Sequence, residues 1–204
     1  MLPYILAALI GYLLGSSSMA LYLSKLRGVD IRAGGSGNLG ASNSMVLMGW
    51  GAGIIVAVHD IAKGVLAVAL ARVLFPEAAY SGLVAGAAAV IGHIFPFYLR
   101  FRGGKGFATY IGMMVILHWK FALAILVVGV IVTLVTDYIV YATMTTVVAF
   151  PIFLAVTVGW TAMAIVAVAS LAAISRHREN FVRLKNGTEI GLRQANRGEL
   201  RAKK

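Results

Sequence analysis

The chain is built from apolar stretches, most of them close to the length that crosses a bilayer, each parted from the next by a short polar segment. They run over roughly 3–24, 45–74, 79–99, 107–119, 121–136, 139–157 and 159–175. A hydrocarbon core takes roughly 20 mostly apolar residues per helix. In lipid every backbone polar group must be satisfied internally, so such stretches are helices. The pattern predicts an all-α, polytopic integral membrane protein with about seven transmembrane helices, forming one domain over 1–204. The stretch 107–136 is too long for one comfortable span, and His118, Trp119 and Lys120 divide it. Gly159 and Trp160 separate the last two spans, and Pro151 is placed to kink the sixth. Composition agrees: 60% hydrophobic against 12% charged residues leaves too little polar surface for a soluble domain of 204 residues.

The basic residues fix an orientation. Lys25, Arg27 and Arg32 follow the first span, Arg100, Arg102 and Lys105 the third, and the tail over 176–204 carries many more. These segments alternate onto one side, and the opposite loops hold little beyond Glu77 and Lys120. The positive-inside rule puts the N-terminus outside and the tail in the cytoplasm. No positive charge precedes the first span, so it reads as a retained helix and not a signal peptide. The polar face of the protein is then expected towards the cytoplasm.

The absence of Cys removes thiolate catalysis and disulfides. His59, His93, His118 and His177 have no ligand spacing, so neither a metal nor another cofactor is expected. The net charge of +11 would suggest nucleic acid in a soluble protein, but between apolar spans it fits anionic headgroups or phosphorylated substrates.

Polar chemistry concentrates in three segments. The first is Gly35-Ser-Gly-Asn-Leu-Gly-Ala-Ser-Asn43. Gly35, Gly37 and Gly40 permit a left-handed backbone, and Ser36, Asn38, Ser42 and Asn43 add neutral hydrogen-bonding groups. The composition suits an anion nest at the start of the second helix, or a flexible turn capped by Asn43. The second runs from Gly92 to Thr109, where Arg100, Arg102 and Lys105 bracket Gly103, Gly104 and Gly106. Such a loop brings backbone amides to an oxyanion beside the Lys105 charge, and it also serves as a positive-inside determinant. The third runs from Arg176 to Glu189. If helical, it presents His177 and Asn180 on one face, with Arg183 near it, able to hold a hydroxyl; it reads equally as a basic juxtamembrane helix capped by Gly187. Within the second span, Asp60 and Lys63 can pair at i, i+3, as a functional site or a structural ion pair. His59 and His93 read as satisfied interior histidines more readily than as ligands.

Taken together, GSGNLGASN at 35–43, DIAKG at 60–64, GHIFPFYLRFRGGKGFAT at 92–109 and RHRENFVRLKNGTE at 176–189 resemble the bacterial acyl-phosphate:glycerol-3-phosphate acyltransferase family over nearly the whole chain. The resemblance implies seven membrane helices with three motifs at the cytoplasmic face. It implies transfer of an acyl chain from acyl phosphate to the 1-hydroxyl of glycerol 3-phosphate, giving lysophosphatidic acid and phosphate. The partners implied are those two substrates, membrane lipid and the peripheral enzyme that makes acyl phosphate, with no nucleic acid. By match to the motifs, Ser36, Lys105, His177 and Asn180 carry the catalytic roles. Gly35, Gly37, Asn38, Ser42, Asn43, Arg102, Gly103, Gly104, Thr143 and Glu189 complete the substrate site. The chain departs from the family pattern at Ser42, where the family has Thr, at Val46, where it has Arg, and at Asp137, where a basic residue is frequent. Thr143 falls near a family Ser. Val46 and Asp137 remove positive charge from the expected phosphate site, which bears on the acceptor or its affinity.

A competing reading is a transporter or lipid-handling protein that uses Asp60, Lys63 and His93 as an intramembrane relay. It calls for matched broken helices and a midplane site; the sequence shows no repeat, and its polar residues lie towards one side.

Overall fold

The computed structural model describes residues 1–193, and all regular structure among them is helical. The helices are α1 (Leu2–Ser16), α2 (Met19–Leu26), α3 (Ala41–Met48), α4 (Trp50–Leu74), α5 (Ser81–Ile94), α6 (Phe107–Leu117), α7 (Trp119–Thr136), α8 (Ile139–Thr157), α9 (Trp160–Arg176) and α10 (Arg178–Lys185). A 3₁₀ turn spans Phe97–Leu99. Of the basic tail expected over 176–204, residues 194–204 lie outside the described part.

Five segments are long and apolar enough to cross a membrane: Leu2–Leu26, Trp50–Leu74, Ser81–Leu99, Trp119–Thr136 and Ile139–Thr157. A sixth arises when α9 and α10, bent by 42°, count as one. The expected fourth span, α6, has 11 residues and a length of only about 16 Å at 1.5 Å per residue. The protein is thus a multi-pass membrane protein with one short apolar leg. Large apolar side chains are exposed along the outer helices, Val135, Val156 and Leu171 among them, as a lipid-facing surface requires.

Two breaks correct the expected spans. The second does not run from 45 to 74: Gly49, at φ 88°, separates α3 from α4. The first is interrupted at Ser17, which is extended (φ −62°, ψ 141°), and the Ser18 hydroxyl then caps α2 by accepting from Leu21 N–H at 3.3 Å. The expected breaks at His118 and Gly159 are present, and α8 continues through Pro151.

Small residues set the packing. Ala7, Gly11 and Gly15 line one face of α1, and a Cβ at Gly11 or Gly15 would collide with the backbone of Ala85 or Ala89 on α5. Gly64 on α4 and Gly112 on α6 likewise press against Thr109 and Ile61. Lipid tails are as apolar as a helix face, so close backbone approach supplies the association that hydrophobic exclusion supplies in water. A second core layer closes through Tyr110, whose ring meets Phe150 edge-on at 6.0 Å and whose hydroxyl bonds Ser170 Oγ at 2.8 Å.

Candidate active site

The third segment is built around its cap. α10 ends at Lys185, and Gly187 takes the left-handed conformation, φ 66°. Gly187 N–H donates to Leu184 O at 3.1 Å, and Thr188 N–H donates to Arg183 O at 2.8 Å. This paired cap reverses the chain, and the sequence expectation for Gly187 is met. Reversal brings Glu189 back onto α10. Its Oε1 accepts from Asn180 Nδ2 and its Oε2 from Arg183 Nε, both at 2.6 Å.

Asn180 relays that contact to the second segment: Lys105 Nζ donates to Asn180 Oδ1 at 2.6 Å. The amide orientation is dictated by chemistry, since an ammonium only donates and a carboxylate only accepts. Lys105 is half-buried, and burial with the nearby Arg183 pushes its pKa down to about 8, against the opposing pull of Glu189 and Glu179. Lys105, Arg183 and Arg176 face two carboxylates, Glu189 and, 3.8 Å from Arg183, the exposed Glu179, so the cluster is net positive.

His177 lies at the junction of α9 and α10 and is 4% exposed. Its Nδ1 donates to Ala173 O at 2.8 Å, which leaves the Nε2 lone pair available in the neutral ring. Burial lowers the His177 pKa and the Lys105 and Arg176 charges lower it further, while the Ala173 bond and Glu189 act the other way. At neutral pH the ring is an acceptor at Nε2.

In the first segment, Gly35 and Gly37 take φ 58° and 65°, whereas Gly40 is extended at φ −133°, because it serves as the N-cap of α3. Asn43 is buried within α3 and is not its N-cap, which is Gly40. Asn43 Oδ1 accepts from Ser36 N–H at 2.9 Å, and its Nδ2 donates to Ile31 O at 2.9 Å and Gly34 O at 3.3 Å. These bonds make the Asn43 amide the brace that shapes the loop. Ser36 and Ser42 are exposed, and Asn38 is half-buried. A guanidinium N–H of Arg32 donates to Arg102 O at 2.8 Å, joining this loop to the second segment, while the Arg102 side chain stays exposed.

Gly103 and Gly104, expected to turn backbone amides towards an oxyanion, lie against the end of α5. Gly103 N–H donates to Ile94 O at 2.9 Å and Gly104 N–H to His93 O at 3.1 Å, so both amides cap α5. A Cβ at Gly104 would strike the His93 ring, which explains the glycine by close approach. Thr143, buried on α8, gives its hydroxyl to Ile139 O at 3.2 Å, and no hydrogen bond among the described residues joins it to the Lys105 cluster.

A second polar cluster was visible in sequence as the Asp60–Lys63 pair and, with His93, as the relay of the competing reading. Asp60 Oδ1 lies 2.9 Å from Lys63 Nζ, 3.4 Å from His59 Nδ1 and 3.5 Å from His93 Nδ1. Lys63 Nζ also donates to Ser17 O at 2.8 Å, and Ser17 Oγ meets His59 Nε2 at 2.8 Å. The cluster satisfies the open carbonyl at the α1–α2 break and, through His93, supports Gly104. It braces the loop that carries Lys105.

Three comparisons bear on this geometry. The family model described as glycerol-3-phosphate acyltransferase matches residues 5–187. A glycerol-3-phosphate acyltransferase of Coxiella burnetii is 39% identical over 189 residues, covering 92% of this chain and 97% of that protein. One from Thermus thermophilus is 40% identical over 185 residues, covering 90% and 92%. The crystal structure of PlsY (YgiH), an integral membrane glycerol 3-phosphate acyltransferase in its glycerol 3-phosphate form, superposes with a TM-score of 0.85 at 32% identity, covering 93% of this chain and 95% of that one. Its lysophosphatidic acid form gives a TM-score of 0.82. The chain is a membrane-embedded enzyme and belongs to the glycerol-3-phosphate acyltransferase family.

Proposed function

We propose that the protein transfers an acyl chain from acyl phosphate to the 1-hydroxyl of glycerol 3-phosphate. The observation that carries this reading is the net-positive chain Lys105–Asn180–Glu189–Arg183 beside the free Nε2 of His177. The related PlsY structures in glycerol 3-phosphate and lysophosphatidic acid forms support the acceptor and the product.

An acyl phosphate is a mixed anhydride with a good leaving group, so no covalent enzyme intermediate is needed. The acceptor hydroxyl adds to the acyl carbon, the ester C–O bond forms, and the C–O bond to phosphate breaks. The hydroxyl proton leaves with the departing phosphate, and the products are lysophosphatidic acid and inorganic phosphate. The enzyme's task is to hold two anions together and aim one hydroxyl. Lys105, with Arg183 and Arg176 behind it, stabilises the phosphate and the developing oxyanion. His177 Nε2 accepts from the acceptor hydroxyl and orients it. Ser36, Asn38 and Ser42, on the glycine-rich loop leading into α3, contribute donors to the second phosphate, with the Arg102 charge nearby. The acyl tail extends between helices into the bilayer.

We assign seven spans with the short α6 as the fourth, the N-terminus outside, and the site at the cytoplasmic face of the inner membrane. A reporter fused after Lys204 is then active only in its cytoplasmic form. The decisive experiment supplies the purified protein with glycerol 3-phosphate and either palmitoyl phosphate or palmitoyl-CoA. Lysophosphatidic acid forms with the first donor and far less with the second; equal rates reject the donor assignment.

A further inference from the structure

Asp137 looks, in sequence, like a lost positive charge at the phosphate site. Its surroundings in the fold give it different work. It closes α7 in the left-handed conformation, φ 71°, which Asp tolerates better than most residues. Its carbonyl accepts from Leu192 N–H at 2.8 Å, and its Oδ1 accepts from Arg193 N–H at 2.9 Å. Arg193 Nε adds a longer, exposed contact at 3.9 Å. A Cβ at Gly191 would collide with Asp137 Oδ2, so the glycine lets the Asp137 carboxylate lie against the chain at residue 191.

The segment from Thr188 to Arg193 is therefore pinned at both ends, by the cap of α10 before it and by Asp137 after it. Glu189 lies between the two anchors, and it is the group that orients Asn180 and Arg183. We propose that Asp137 is a positioning residue that clasps residues 191–193, holds Glu189 against Asn180 and Arg183, and so sets the ammonium of Lys105 for phosphate binding. The inference rests on the acyl-transfer reading for its kinetic consequences, but the clasp has a readout of its own.

That readout is amide hydrogen exchange over residues 189–193 of the full chain in detergent or lipid. Asp137→Ala exchanges faster there. Asp137→Asn, whose amide oxygen can still accept from Arg193 N–H, keeps most of the protection. Unchanged exchange in Asp137→Ala overturns the clasp whether or not the protein acylates glycerol 3-phosphate. Failure of the wild-type protein to form lysophosphatidic acid would sink only the catalytic reading.

Kinetics then separate positioning from charge. Asp137→Ala and Asp137→Lys lower kcat/KM by about tenfold to a hundredfold, the range expected when a group is misplaced by about 1 Å. Asp137→Asn stays near wild type, and Gly191→Ala reproduces the loss from the other side. In a Glu189→Gln background the Asp137→Ala loss shrinks, because both changes release the same group. An Asp137→Lys variant with a lower KM than wild type, or a full Asp137→Ala loss in the Glu189→Gln background, would overturn the proposal.

Discussion

Two lysines of this protein each have a carboxylate close by, and their surroundings divide structure from chemistry. Lys63, on α4, reaches the α1–α2 break, 4% exposed and shared between Asp60 and the Ser17 carbonyl. Asp60 is itself approached by two histidines, so charge and hydrogen bonds are spent inside the cluster. Lys105 lies at the end of the bundle, where its close partner is the neutral amide of Asn180, and the carboxylate of Glu189 is one residue further on and already shared with Arg183. A closed cluster braces; a half-buried cationic cluster keeps donors to spare, which is why the proposed phosphate contact is assigned to it. The lesson is that an ion in or near a membrane is read from whether its partners saturate it, and a Lys–Asp spacing alone does not decide.

The largest effect that sharpens this contrast is on stability. Lys63→Ala leaves Asp60 uncompensated in a buried site, and removing one member of a buried pair costs about 3–5 kcal/mol. Thermal unfolding in detergent should show a large loss, and Asp60→Asn with Lys63→Met should recover much of it. A Lys63→Ala protein of normal stability with no activity would move that lysine into the chemistry and break the comparison.

Next comes the amide that carries the relay. Asn180→Ala frees Lys105 and Glu189 together, and misplacement of about 1 Å costs about a hundredfold in rate. Arg178, exposed on the same helix, should matter far less. A double mutant of His177 and Asn180 should be non-additive, because both act at one site. Near-normal kcat/KM for Asn180→Ala, measured at matched expression and alongside a large loss for Arg178→Ala, would make α10 a basic anchor.

Lys105→Ala removes a charge-assisted contact worth about 1.5–3 kcal/mol, or roughly one to two orders of magnitude in kcat/KM. Its unfolding temperature should change little, opposite to Lys63→Ala. Full activity would leave Lys105 a topology determinant.

The smallest effect is in pH. Lys105 is charged below its folded pKa of about 8 and should lose its charge as pH rises through that value, so kcat/KM falls there. Stability moves the other way. The folded pKa lies below the ordinary 10.5, the unfolded chain binds more protons between the two, and this lysine's contribution to stability increases with pH across that window. Lys105→Arg should abolish the alkaline loss near pH 8 even if its rate is lower. A limb that persists at pH 8 in that variant would assign the titration to another group.

The helical membrane architecture and most span boundaries were legible because hydropathy and turn chemistry act locally. Runs of apolar residues must be helices in lipid, and His118, Gly159 and Gly187 mark real breaks and caps. The glycine-rich and basic strings meet in the fold, through Arg32 with Arg102 and Lys105 with Asn180. What they did not reveal was the use of each polar group. Gly103, Gly104 and Asn43 looked like anion contacts, but their amides close the end of α5 and the loop before α3. Asp137 looked like a missing charge and is a clasp for a segment more than fifty residues away.

By itself the sequence determined a multi-pass helical protein with its cationic and glycine-rich residues in short polar segments between the spans, since hydrophobicity, charge and backbone freedom are properties each residue carries with it. Only the tertiary structure decided which donors remain free. A hydrogen-bonding group is spent or available according to what the fold brings within about 3 Å of it, and the partners that matter here, Lys105 with Asn180, Gly104 with His93, and Asp137 with Arg193, come from segments parted by whole helices or by tight reversals of the chain.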